Sequence, residues 1–159
     1  MLVSIITLAV VLLDIVSKYL VVQLLLPLQR EVVVIPHVLN FSYVENKGAA
    51  FGILADSRWL FMLASAVLLI GLILLIRFSK INHPLFLIST SMILGGGIGN
   101  MIDRIFVGYV VDFLKATFID FPVFNVADCA VVIGTVLFAV YFIFFDKALT
   151  SEKTDGKQN

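Results

Sequence analysis

The segment "FPVFNVADCAVVIGTVLFAVYFIFF", residues 121–145, decides the class of fold. From Val126 to Phe145 it carries a single charged residue, Asp128. That run matches the roughly 20 helical residues needed to cross a hydrocarbon core of about 30 Å. Three more stretches have the same character: Leu2 to Leu26, Trp59 to Phe78 and Leu85 to Ile105. The composition agrees, since 61% of the 159 residues are hydrophobic and only 14% are charged. Mean hydropathy is +1.10, whereas soluble domains are roughly half apolar. The reading is an integral membrane α-helical protein with four transmembrane helices, forming a single membrane domain over 1–146. The polar tail at 147–159 is read as disordered. The first span lacks a basic leader and a small-residue cleavage site, so it is read as a retained anchor.

Four spans put both termini on one side of the membrane and the two long connections on the other, where function is to be sought. Lys and Arg are divided almost evenly between the two sides, so charge alone sets no orientation. Formal net charge is zero, which leaves nucleic-acid binding without an electrostatic basis. Cys129 is the single cysteine, so no internal disulfide can form. Between the first two spans, "PLQREVVVIPHVLNFSYVENKGAAFGILADS" is rich in β-branched and aromatic residues and punctuated by Pro27, Pro36 and Gly48. It reads as a small β-rich flap of two or three extended segments folded over the helix bundle.

An ionisable residue within a span costs about 2.5–3.5 kcal/mol at the helix centre, so each one needs a reason. Asp14 and Lys18 are four apart with the acid first, the better order for a helical ion pair. In "GGGIGNMIDRI", residues 95–105, Gly95 and Gly99 fit close helix packing, while Asn100, Asp103 and Arg104 share one face at the helix end. The third span ends and the fourth begins on the same face of the membrane. Asn100, Asp103, Arg104, Asp112, Asn125 and Asp128 are therefore expected at one depth, beneath the flap. Asn125 and Asp128 are also spaced as a helix cap, and that plain role stands beside the chemical one.

His37 and His83 fall on opposite sides of the membrane, which excludes a Ser or Cys triad and a His-based zinc site. Cys129 reads as a packed thiol. The remaining chemistry is that of two carboxylates sharing a proton, one acting as base on water and the other as acid toward a carbonyl. Asp103 has an adjacent counter-ion in Arg104, which would spoil sharing, so spacing favours Asp112 with Asp128.

These stretches resemble the lipoprotein signal peptidase (signal peptidase II) family: "DIVSKY" at 14–19, "NKGAAFGI" at 46–53, "GGGIGNMIDRI" at 95–105, "VVDF" at 110–113 and "FNVADCAVVIG" at 124–134. The resemblance implies a membrane aspartic endopeptidase with Asp112 and Asp128 as catalytic dyad and Asp103 in support. Asp14, Lys18, Asn46, Gly99, Asn100, Arg104, Asn125 and Ala127 fall on motif positions of the family, and Asn46, Asn125 and Arg104 are candidates for holding substrate carbonyls. The substrates implied are bacterial prolipoproteins with a diacylglyceryl cysteine, cleaved before that cysteine and presented from membrane lipid. Cyclic-peptide antibiotics such as globomycin are the implied inhibitors, and no metal or organic cofactor is implied. The resemblance also places the protein in the bacterial cell (inner) membrane, with cytoplasmic termini and the active site near the outer leaflet. Two rival readings rest on the residues themselves: a small ion-coupled transporter or proton relay, and a scaffold whose polar groups only lock helices together.

Overall fold

The computed structural model describes residues 1–48 and 58–145. Part of the "NKGAAFGI" motif, residues 49–53, and the tail at 147–159 lie outside the described residues. Four helices are long and apolar enough to cross a membrane: α1 (Leu2–Leu24), α2 (Arg58–Phe78), α3 (Pro84–Phe106) and α4 (Val126–Phe144). Their starts follow local chemistry. His83 caps α3 by accepting the Leu85 N–H at its Nδ1, 3.2 Å away, and Pro84 follows, where its missing N–H costs nothing. Asn125 and Asp128 form a reciprocal capping box at the start of α4. A short 3-10 turn, Leu26–Leu28, ends the first span around Pro27.

α3 is the central helix. Its buried positions include Phe86, Leu94, Gly95, Gly96, Gly99 and Asp103. Gly95 and Gly99 face α1: a Cβ on Gly95 would stand 2.6 Å from Val10 Cβ, and one on Gly99 2.5 Å from Asp14 Oδ2. Gly96 faces α4, where a Cβ would run into the Ala127 carbonyl. Between membrane helices there is little hydrophobic drive, so close backbone approach of this kind supplies the packing. Ser89, Thr90 and Ser91 are buried, and their hydroxyls bond back to the Phe86 and Leu87 carbonyls, so none of the three is stranded. On α1 the buried residues are Val11, Asp14, Lys18 and Val21, a stripe at helical spacing whose two middle members are charged.

The three strands are β1 (Val32–Ile35), β2 (Leu39–Asn46) and β3 (Val110–Ala116), in the order β1-β2-β3 and antiparallel throughout. The first connection supplies only the β1–β2 hairpin; the third strand is the stretch containing Asp112, from the connection between α3 and α4. Val21, Leu25, Val111 and Phe113 form a small core that seats the sheet on the end of α1, with Phe41 edge-on to Phe113 at 5.9 Å. Lys115 on β3 pairs with Glu31 just before β1. The β2–β3 register shifts by one residue: Phe41 opposes Leu114, but Val44 opposes Asp112 and Asn46 opposes Val110. β2 thus carries one extra residue in this interval, and an extra residue exchanges the two faces of a strand beyond it.

Candidate active site

Asp112 reaches the end of the bundle on β3, is 2% exposed, and accepts on both oxygens. Asn46 Nδ2 donates to Oδ2 at 2.8 Å and Asn125 Nδ2 to Oδ1 at 2.7 Å. The Asn46 contact depends on the shifted register, which sets Asn46 rather than Glu45 on the side of β2 that meets Asp112. Burial pushes the Asp112 carboxyl from its ordinary 3.8 up to about 6. The Asn46 hydrogen bond pulls it back, because a donor favours the ionised form, and the charge of Asp128 pushes the same way as burial.

Asp128 sits in the first turn of α4. Its Oδ1 accepts from Asn100 Nδ2 at 2.8 Å and its Oδ2 from the Asn125 backbone N–H at 3.1 Å. The cap fixes the orientation of Asn125: its Oδ1 accepts the Asp128 N–H at 2.9 Å, so its Nδ2 is left to donate to Asp112 and, at 3.1 Å, to Asn100 Oδ1. The helix cap and the bridge between the two carboxylates are therefore one side chain.

Behind this pair lies Lys18, 4% exposed. Its ammonium stands 2.7 Å from Asp14 Oδ2 and 2.9 Å from Asp103 Oδ2, and donates to Asn100 Oδ1 at 3.0 Å. The Asp14–Lys18 pair expected from i,i+4 spacing is present. The pairing of Asp103 with Arg104 is not: the counter-ion of Asp103 is Lys18, because adjacent residues on a helix point about 100° apart. Arg104 turns instead to the Asn100 carbonyl at 3.3 Å and lies over the Phe61 ring at 5.8 Å. Gly99 leaves the room that the Asp14 carboxylate occupies, and Ala127, fully buried, offers its N–H to Asp14 Oδ1 at 3.0 Å.

A cavity of about 530 Å³ opens onto the two acids, lined on its polar side by Asn46, Arg104, Asp112 and Asp128. Its apolar wall is Phe121 to Phe124 together with Cys129, Val132 and Ile133. Cys129 is half-buried on that wall rather than packed away in the bundle. The "FPVF" lining was not picked out from sequence. Its signal was an apolar run in a connection, with Phe121 51% exposed. Asp120, the other acid in that connection, is exposed. His83 stacks on Tyr141 and Phe145, and 20 residues of α3 separate it from Asp103, about 30 Å of helix. The arrangement is two carboxylates of unequal burial, tied by neutral amides and open to an amphipathic cavity, with one guanidinium beside them.

Such a bundle, closed at one end by a sheet that carries one acid of the pair, defines a small polytopic membrane enzyme. Residues 6–144 match the family described as Signal peptidase (SPase) II. The chain is 37% identical over 153 residues to a lipoprotein signal peptidase of Symbiobacterium thermophilum, covering 95% of this chain and all of that one. It is 42% identical over 151 residues to that of Brevibacillus brevis, covering 94% of this chain and 93% of the other. A solved bacterial membrane enzyme superposes with a TM-score of 0.81 at 31% identity, over 99% of this chain and 92% of that one. A second does so at 0.80 and 32% identity, over 91% and 94%. The chain belongs to the signal peptidase II family, and is by that membership a peptidase of bacterial membranes.

Proposed function

We propose that the protein is an aspartic endopeptidase that removes the signal peptide from diacylglyceryl-modified prolipoproteins, cutting before the lipidated cysteine. The observation that carries this reading is Asp112 and Asp128 lining one cavity while Asn125 bonds both. Asp112, the more buried acid, holds the shared proton and gives it to the scissile carbonyl. Asp128 takes a proton from the attacking water and passes it to the departing amine as the C–N bond breaks, while one hydroxyl of the gem-diol returns its proton to Asp112; the signal peptide leaves with a carboxylic acid, which ionises in water, and the cysteine with a free amine. Asn125 has both amide hydrogens committed, to Asp112 and to Asn100, so among the described residues Arg104 and the second N–H of Asn46 are the donors in the cavity wall to meet a substrate carbonyl or the developing oxyanion.

The apolar wall suits a lipid-modified residue that stays in the bilayer while the peptide enters from the side. In this orientation the termini are cytoplasmic and the site lies near the outer leaflet. Cyclic-peptide antibiotics of the globomycin type, with a hydroxyl where the tetrahedral intermediate has one, are the expected inhibitors. A proton relay or transporter would need polar groups along the bilayer; here they collect at one end, and α2 has none of its spanning window buried.

The test is cleavage by the purified protein in lipid. The diacylglyceryl precursor should be cut before its cysteine, and the unmodified precursor at least about 10²-fold more slowly, as expected when remote binding energy supports the chemical step. Mass spectrometry showing no product, or a cut elsewhere, ends the proposal.

A pH profile follows from Asp112. With its carboxyl near 6, the shared proton is present below that pH and lost above it, so kcat/KM should fall on the alkaline side with a limb near 6. Removing the Asn46 donor should move that limb upward, so Asn46→Ala is expected to retain relatively more of its own maximal rate at about pH 8. A wild-type profile that is flat from about pH 5 to about pH 8 would contradict the assignment of the proton to Asp112.

A further inference from the structure

Lys18 does not line the cavity, yet the chain just before each of the two acids is tied back to it. Asp103 Oδ2, 2.9 Å from its ammonium, accepts the backbone N–H of Val111 at 3.2 Å. Asp14, paired with the same ammonium through Oδ2, accepts the backbone N–H of Ala127 on Oδ1 at 3.0 Å. Val111 immediately precedes Asp112 and Ala127 immediately precedes Asp128. The third contact, to Asn100 Oδ1, orients that amide so that its Nδ2 must donate to Asp128. Among the described residues, the ammonium is the one partner of Asp14 Oδ2.

We propose that Lys18 is a positioning residue that sets the separation of the two reacting carboxylates, gripping through two buried acids the amide just before each. One cation on α1 thereby links β3 to the start of α4, in addition to Asn125 and the backbone hydrogen bonds between Leu114 and Phe124. A compact ammonium can present three donors to three converging acceptors; a planar guanidinium of the same charge cannot. The charged groups around it are Asp14 on its own helix, Asp103 and Arg104 on α3, Asp112 on β3 and Asp128 on α4. The activity readout rests on the peptidase reading above; amide exchange does not.

The experiment compares the full-length protein with Lys18→Met and Lys18→Arg in lipid. In Lys18→Met, hydrogen exchange should rise at Val111 and Ala127 together by about tenfold or more, while amides paired between β1 and β2 stay protected. With lipidated precursor, kcat should drop about 10²-fold with KM within about threefold, since misplacement of about 1 Å can cost that much. The alkaline limb of the pH profile should also rise, because Lys18 favours the ionised form of Asp112. Where Lys18→Met does not fold, Lys18→Arg decides: it keeps the charge, and should still lose at least about tenfold in kcat. Exchange that rises at one amide or neither, or kcat within about threefold of wild type in a folded variant, overturns the proposal. If wild type does not cleave, the peptidase reading fails, and the exchange result still judges Lys18.

Discussion

Replacing Asp128 by asparagine is expected to lower kcat by about 10³-fold or more while the protein keeps its fold. The asparagine Oδ1 can still accept the Asn125 N–H, so the capping box survives, while its NH₂ comes to face the Asn100 Nδ2 donor at a half-buried position. Asp112→Asn should be equally inactive but less stable. Both Asp112 oxygens accept from amide N–H groups, and an asparagine there turns its own NH₂ toward one of those donors. Such a buried mismatch costs about 1–3 kcal/mol. Both variants should be without turnover, and the melting temperature should fall further for Asp112→Asn, because Asp112 is buried and Asp128 half-buried. Cleavage of lipidated precursor followed by mass spectrometry, alongside thermal unfolding in detergent, measures both. An undiminished rate in either folded variant removes the dyad.

The largest effect on stability is expected from Gly96→Ala. The added methyl would be driven into the Ala127 carbonyl and stand 2.8 Å from Val131 Cγ2. The carbonyl cannot retreat readily, because the Ala127 N–H is held by Asp14 and the first turn of α4 is capped by Asn125. Overpacking a rigid contact costs about 1–3 kcal/mol and occasionally more, and here it should place the variant at the upper end, with little folded protein recovered. Gly71→Ala is the control. Nothing lies within 4 Å of a Cβ there, and alanine should be neutral or stabilise α2 by up to about 1 kcal/mol. Equal yield and equal melting temperature for the two variants would show that α3 and α4 do not meet as closely as described.

Much of this architecture was legible in the sequence, and the limits have physical causes. The spans were readable because hydrophobic length is a local property: 126–145 was expected and Val126–Phe144 is found, 85–105 was expected and Pro84–Phe106 is found. The hairpin in the first connection was legible from β-branched residues and turn formers. Its third strand was not, because pairing Asn46 with Val110 is a long-range event that "VVDFLKA" does not announce. The acids and amides at the end of the bundle were expected to gather there, and geometry brings them together. Their pairing was another matter. Neighbours in sequence suggested Asp103 with Arg104, but helical geometry sends Asp103 to Lys18 and frees Arg104 for the cavity. The spacing of Asp14 and Lys18 disclosed one contact of the ammonium; the other two come from α3 and are set by tertiary packing alone.

The single extra residue in β2 has a consequence for how this gene can vary. Insertions and deletions are usually tolerated on the wet side of a membrane protein, where connections are long and polar. Between Phe41 and Val44 the strand can lose one residue and keep its register, because the deletion would only remove the bulge and leave Asn46 opposite Val110. Closing the bulge with both residues kept would instead set Tyr43 opposite Asp112, turn Asn46 away and deliver Glu45 to Asp112. A neutral donor would be exchanged for a third carboxylate without any substitution at the site. Where the strand absorbs its extra residue thus decides which side chain meets Asp112.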